Sequence, residues 1–305
     1  MKIIDVHTHG IGGYDTKSAD VGQILKIAEI HGSYGVSEII PTVYPAALKV
    51  MRDNLSVIIE AMNIQKAGNL SLKTEFASAE SGTVEDPRPA AIIGAHLEGP
   101  FLNPSKCGSL NAMTFLNPSD EHLFELVSGF EDIIRIMTVA PELDGARQLI
   151  RRISDIGFIV NLGHSNATYA ETEAGHKAGA RCITHLFNAM RQYHHREPGI
   201  AGYGLINPDI YVEVIADPFH LHPATLDLIF RAKNRERIIL VSDSIRETKA
   251  PAMPVSGAKG LADPHGRLLG GAMTITEVAA TLSGKYDRQM IMDCISANPA
   301  RYLSR

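Results

Sequence analysis

The sequence predicts an α/β fold, an eight-stranded parallel β/α (TIM) barrel, and three observations carry that reading. Short β-branched runs alternate with longer amphipathic stretches along the 305 residues, the pattern of repeated βα units. Eight such runs can be marked, which suits one barrel over this length better than an open doubly wound sheet. Most runs end in His, Asp or Glu, at the strand ends where barrel active sites lie. No GxGxxG or P-loop pattern supports a nucleotide-binding sheet.

Strands are expected at Lys2–His7, Ser37–Thr42, Ala91–Glu98, Ile133–Ala140, Phe158–Gly163, Arg181–Leu186, Tyr211–Ala216 and Arg237–Ser242. Each is a short run rich in apolar or β-branched residues, bounded by turn-forming or polar residues. Helical spacing of apolar positions marks Val21–Tyr34, Ala46–Lys66, Asp120–Ser128, Asp144–Ile156, Thr168–Ala178 and Pro223–Ala232 between the strands. Two more helices are expected after the last strand, at Thr274–Leu282 and Gln289–Leu303. The Pro- and Gly-rich connection Ala250–Gly271 reads as a long loop of the kind that serves as a lid. With no internal repeat, low-complexity segment or linker, residues 1–305 are read as one barrel domain.

Composition narrows the function classes. Hydrophobic content of 45% and charged content of 21% suit a soluble globular enzyme. A net charge of −5 without a basic run argues against nucleic acid and anionic membranes as partners. Three cysteines, Cys107, Cys182 and Cys294, are odd in number and far apart, which fits a reducing cytosol and no disulfide framework. The chain shows no apolar signal core and no run long enough to span a membrane, so the expected location is the cytoplasm.

Chemistry collects at the strand ends. His7-Thr-His9 closes the first strand, and residues two apart on a strand share a face, so two imidazoles can share one divalent ion. Glu98 ends the third strand, His164 the fifth, His185 the sixth, Asp217 the seventh with His220 just beyond, and Asp243 the eighth. One such residue alone reads as a structural histidine or a cap. Imidazoles and carboxylates converging on one mouth repel or stay unsatisfied unless they bind metal or substrate.

These blocks resemble the amidohydrolase superfamily, and within it the N-acetylglucosamine-6-phosphate deacetylases. The resemblance rests on His7-Thr-His9-Gly, Gly94-Ala-His-Leu-Glu98-Gly-Pro-Phe-Leu-Asn-Pro104, Leu162-Gly-His164-Ser-Asn-Ala and Thr184-His185-Leu-Phe-Asn188-Ala189-Met. It extends to His194-His-Arg196-Glu-Pro-Gly199, Asp217-Pro-Phe-His220 and Asn298-Pro-Ala-Arg301, in the family's order. It implies a metal-dependent hydrolase barrel that removes the acetyl group from an N-acetylated amino-sugar phosphate. Glu98, His164 and His185 match the main metal ligands, and His7 and His9 those of a second ion in members that hold two. Asp243 matches the catalytic aspartate, also placed at the metal, as base toward the metal-activated water and acid toward the leaving nitrogen. His220 matches a histidine over the substrate, placed to stabilise the oxyanion. Asn188 and Ala189 match sugar-phosphate contacts. Arg196 matches an arginine reaching the phosphate in a neighbouring subunit's site, which implies a homodimer. The implied cofactor is one or two divalent ions, zinc first, with iron, manganese or cobalt as alternatives.

The sequence departs from the family at three places. Typical members flank the barrel with a small β-sandwich domain, which is expected to be absent here. Leu110, in Lys106-Cys-Gly-Ser-Leu110, stands where the family usually carries a substrate-binding histidine. The loop after Asp243 is shorter and richer in proline, and its Leu268-Leu-Gly-Gly-Ala-Met-Thr274 end resembles the family's Leu-Ala-Gly-Ser-type cover. The alternatives are an amidohydrolase with another N-acyl substrate and a non-catalytic sugar-phosphate-binding barrel.

Overall fold

Eight parallel strands are arranged in sequence order as the barrel predicted above. They are β1 (Ile4–Thr8), β2 (Glu38–Val43), β3 (Ala95–Glu98), β4 (Ile134–Val139), β5 (Ile159–Leu162), β6 (Ala180–Ile183), β7 (Tyr211–Ile215) and β8 (Ile238–Val241). They belong to a computed structural model that describes residues 1–68, 88–251 and 260–304. The middle of the Ala250–Gly271 connection, residues 252–259, therefore lies outside the described residues. The ring closes where the chain leaving β8 meets β1. There the Asp243 N–H donates to His7 O at 3.0 Å and the His9 N–H to Ser244 O at 2.7 Å.

Alternation along the strands sorts two cores. Ile40, Ile136, Ile159, Cys182, Tyr211, Ile215, Ile239 and Val241 fill the barrel, while residues such as Val212, Val214, Ile183 and Leu240 face the helices. The helices are α1 (Val21–Ser33), α2 (Leu48–Lys66), α3 (Asp120–Val127), α4 (Ala146–Ile156), α5 (Tyr169–Lys177), α6 (Gly199–Ile206), α7 (Pro223–Ala232), α8 (Ile275–Leu282), α9 (Arg288–Ile295) and α10 (Ala297–Leu303). Several start where side chains meet free backbone N–H groups. Thr168 with Glu171, and Thr274 with Glu277, form capping boxes on α5 and α8. Tyr302 of α10 is fully buried and joins the core inside the barrel.

Three elements differ from the sequence reading. The run Ala91–Glu98 is two pieces: Ala91–Ile92 pairs with β2, and β3 begins only at Ala95. Gly94 turns the chain between them with φ of 150°, and a Cβ there would sit 2.7 Å from Ile133 O. The expected helix Gln289–Leu303 breaks at Ser296 (φ −135°, ψ −75°) into α9 and α10. Pro299 lacks an N–H and its ring would clash with the carbonyl one turn back, so it is accommodated in the first turn of a new helix. Helix α6 is not among the expected elements. Every residue in it but Ile206 is buried, so it has no polar face and leaves no amphipathic period to read.

Candidate active site

At the C-terminal mouth of the barrel the backbone leaves three strands through left-handed residues. His164 has φ of 46°, His185 of 28° and Asp243 of 46°. Side chains with a Cβ pay for that conformation, on the order of 1–3 kcal/mol each. Ala189 (φ 48°) and Phe187 (φ 76°) add to it in the loop after β6. Such strain clusters where geometry is over-determined by function, and here it marks the residues the sequence singled out.

The side chains form two donor groups, buried except for the half-buried Asp243. Glu98, His164 and His185 make one, and His7, His9 and Asp243 the other. In the first, Glu98 Oε1 lies 3.1 Å from His164 Nε2 and 3.2 Å from His185 Nε2, and the two nitrogens are 3.1 Å apart. In the second, His7 Nε2 is 3.3 Å from His9 Nε2 and 3.4 Å from Asp243 Oδ1. Glu98 spans both groups, with Oε1 3.4 Å from His7 Nε2 and Oε2 3.2 Å from His9 Nε2. Burial alone pushes the Glu98 carboxyl up, but His164 and hydrogen bonds from His164, His185 and His7 hold it well below the usual range. For His7 burial opposes the proton, yet Asp243, Glu213 and Glu98 raise it well above an ordinary histidine.

The outer ring nitrogens explain why the inner ones converge. His9 Nδ1 donates to Thr42 O at 3.1 Å and His164 Nδ1 to Lys106 O at 2.9 Å. His7 Nδ1 donates to Glu213 Oε2 at 3.1 Å. Each bond fixes the ring and points Nε2 inward, the orientation metal-ligating histidines adopt. His164 Nε2, His185 Nε2 and Glu98 Oε1 lie within 3.2 Å of one another, and among the described residues the buried His185 Nδ1 finds no partner. Three such atoms converging suit a shared cation, and nitrogen with carboxylate donors suits zinc, so the residues fit a divalent metal.

Among the sequence-predicted residues, His9, Glu98, His164, His185, Asn188, Ala189, His220 and Asp243 line one pocket, with His7 directly behind. Arg196 lies outside that lining, exposed, with Nη1 2.8 Å from His195 Nε2. His220 is oriented by Asp217, whose Oδ1 accepts from its Nδ1 at 2.9 Å while Oδ2 accepts from the Ala272 N–H at 3.0 Å. Burial pushes the Asp217 carboxyl up, but His220 and these backbone donors bring it below its usual value. Leu110 lines the pocket beside Ser109, whose hydroxyl donates to Leu269 O at 3.2 Å and ties the loop after β3 to that after β8.

Residues that the motifs did not single out also shape the mouth. Tyr44 stacks on His9 with ring centroids 3.8 Å apart, and among the described residues Arg267 is the one lysine or arginine in the lining. Glu213 was missed as well, although an acid inside Tyr211-Val-Glu-Val-Ile is a legible signal. An inward-facing carboxylate in an otherwise apolar strand needs a partner.

Fold and donor groups define the class: a β/α barrel with two candidate divalent-metal donor groups at its mouth. Within it the chain resembles the N-acetylglucosamine-6-phosphate deacetylases. It is 33% identical over 282 residues to that enzyme from Bacillus subtilis, covering 92% of this chain and 64% of the relative. It is 32% identical over 248 residues to N-acetylgalactosamine-6-phosphate deacetylase of Escherichia coli O157:H7, covering 81% of this chain and 60% of the relative. The chain thus spans somewhat less than two thirds of the length of these curated relatives. A mutant N-acetyl-D-glucosamine-6-phosphate deacetylase from Mycobacterium smegmatis, solved with N-acetyl-D-glucosamine-6-phosphate, superposes with a TM-score of 0.85. Identity is 25%, over 99% of this chain and 77% of that one. The Thermotoga maritima deacetylase gives a TM-score of 0.80 at 26% identity, with 99% and 77% covered. No family profile matches the chain.

Proposed function

We propose that this chain is a metal-dependent hydrolase that removes the acetyl group from an N-acetylated amino-sugar phosphate. The observation that carries the reading is the pair of donor groups sharing Glu98 at the floor of one pocket. The relatives named for such deacetylation support the substrate class. Residues 1–305 are taken as one barrel domain, working in the cytoplasm. Glu98, His164 and His185 would hold one divalent ion and His7, His9 and Asp243 a second, zinc being the metal the donors suit best. When bound, such an ion supplies Lewis acidity, which polarises an acyl oxygen and makes water a stronger nucleophile.

The chain's own groups do the rest. Asp243 Oδ1 sits where it can accept the proton of the attacking water and return it to the departing amine nitrogen. His220, held by Asp217, presents Nε2 toward the acyl oxygen. Asn188 and the Ala189 backbone face the sugar phosphate. Arg196, exposed and outside its own pocket, is free to reach the phosphate in a second copy, which makes the working unit a homodimer.

The test is deacetylation of N-acetylglucosamine-6-phosphate, its galactosamine epimer and the unphosphorylated parent by metal-quantified protein. Turnover much faster on a phosphorylated sugar than on the unphosphorylated parent is the expected result. Arg196→Ala should raise KM for that sugar far more than for the unphosphorylated analogue, and equal effects would remove the phosphate assignment. No turnover with metal fully bound would overturn the deacetylase reading.

A further inference from the structure

Glu213 is a fully buried carboxylate that no step of the proposed chemistry uses. It lies on β7 between Tyr211 and Ile215, which both belong to the apolar core inside the barrel. An ionised group there is costly unless each oxygen is paired, and both are. Oε2 accepts from His7 Nδ1 at 3.1 Å, and Oε1 accepts from Asn161 Nδ2 at 2.7 Å. Asn161 Oδ1 in turn accepts from the Tyr302 hydroxyl at 2.6 Å. The Tyr302 ring packs against Tyr211, with centroids 5.3 Å apart. Four fully buried side chains from α10, β5, β7 and β1 therefore form one line that ends at His7.

The direction of each bond depends on the one before it. With Tyr302 donating to Oδ1, Asn161 must turn its NH2 toward Glu213. That leaves the other Glu213 oxygen for the His7 Nδ1–H, and His7 Nε2 then faces His9 and Asp243. His9 and His164 are anchored differently, by the backbone carbonyls of Thr42 and Lys106. We propose that Glu213, held by Asn161 and Tyr302, is a positioning residue that fixes His7 with Nδ1 protonated and Nε2 turned into the site. Through this line helix α10, at the far end of the barrel interior, governs one ligand of the His7–His9–Asp243 group. The inference rests on the reading of His7 as a metal ligand.

Two variants and two readouts test it. Glu213→Gln keeps the shape but sets an NH2 donor against another donor, at either His7 or Asn161. Tyr302→Phe removes one oxygen at the opposite end of the line and serves if Glu213→Gln does not fold. The first readout is the proton NMR signal of the His7 Nδ1–H, identified by its loss in His7→Ala. In the unsubstituted protein it should be downfield and slow to exchange. It should vanish or shift upfield with faster exchange in Glu213→Gln, and exchange at least about tenfold faster in Tyr302→Phe. The second is metal content with chelator competition. Here the ion dependent on His7 and His9 should bind about 10–100-fold more weakly in both variants, the usual effect of losing such a supporting bond. The Glu98–His164–His185 ion should be retained.

Folded variants with an unchanged His7 proton signal and unchanged metal affinities would overturn the proposal. If the unsubstituted protein and His7→Ala bind equal metal, the reading of His7 as a ligand fails instead. The proton signal still decides whether Glu213 positions the ring.

Discussion

Asp243 touches both donor chemistry and pocket. Its carboxylate reaches His7 and His9 at 3.4 and 3.7 Å, yet its side chain is 14% exposed and open to the pocket. Asp243→Asn keeps the size and loses the proton acceptor, so kcat should fall by about 10²–10⁴ with the ion of the Glu98–His164–His185 group retained. Turnover close to that of the unsubstituted protein would remove the residue from the mechanism. His31 poses a different residue-scale question. Buried against Thr8 and Ser244, it is held down at about 4 by desolvation. The unfolded chain then binds the extra proton between about pH 4 and its ordinary value near 6.5. Its contribution, on the order of 3 kcal/mol, is full above pH 6.5 and is lost as pH falls toward 4. Asp5, raised by burial to about 6, slopes the opposite way over part of that range. The His31 share is therefore read as a difference: His31→Asn should show a flatter loss of urea stability between pH 6.5 and 4.5 than the unsubstituted protein.

At the scale of elements, the loop after β8 is built around close backbone contact. Gly271 donates its N–H to Asp243 O at 2.7 Å, and a Cβ on it would lie 1.8 Å from Ser242 O. Gly271→Ala must push the Leu268–Gly270 strand away from Asp243. A cost of about 1–3 kcal/mol in urea unfolding is expected, of the kind overpacking brings, together with a lower kcat. Unchanged stability would mean that the loop yields freely. Legibility at this scale followed physical contrast. The helices α4 and α7 were readable because buried and exposed faces alternate. Helix α6, buried on all sides, offered no such contrast, and the α9–α10 break depended on where Pro299 could be tolerated.

For the whole molecule, the central cost is four histidines and two carboxylates drawn into one buried mouth. Their mutual repulsion and unmet lone pairs are relieved by bound cations, so metal should act as a stabiliser of the fold. Removing it with a chelator should lower the thermal midpoint, by the equivalent of about 4 kcal/mol where free metal stood at a thousandfold over its Kd. Restoring zinc should recover it, and an unchanged midpoint would show that the donors are content without a metal.

The sequence by itself determined the barrel and which donor side chains gather at its mouth. Strand periodicity is local, and the polar residues that end the strands sit at fixed places in each run. Tertiary structure alone decided that Glu98 faces both donor groups, that Arg196 stands apart from its own pocket, and that Tyr302 reaches His7 through Asn161 and Glu213. The single contacts behind those relations join residues up to 206 positions apart. They depend on which side chains the closed ring points inward, and no local pattern records that.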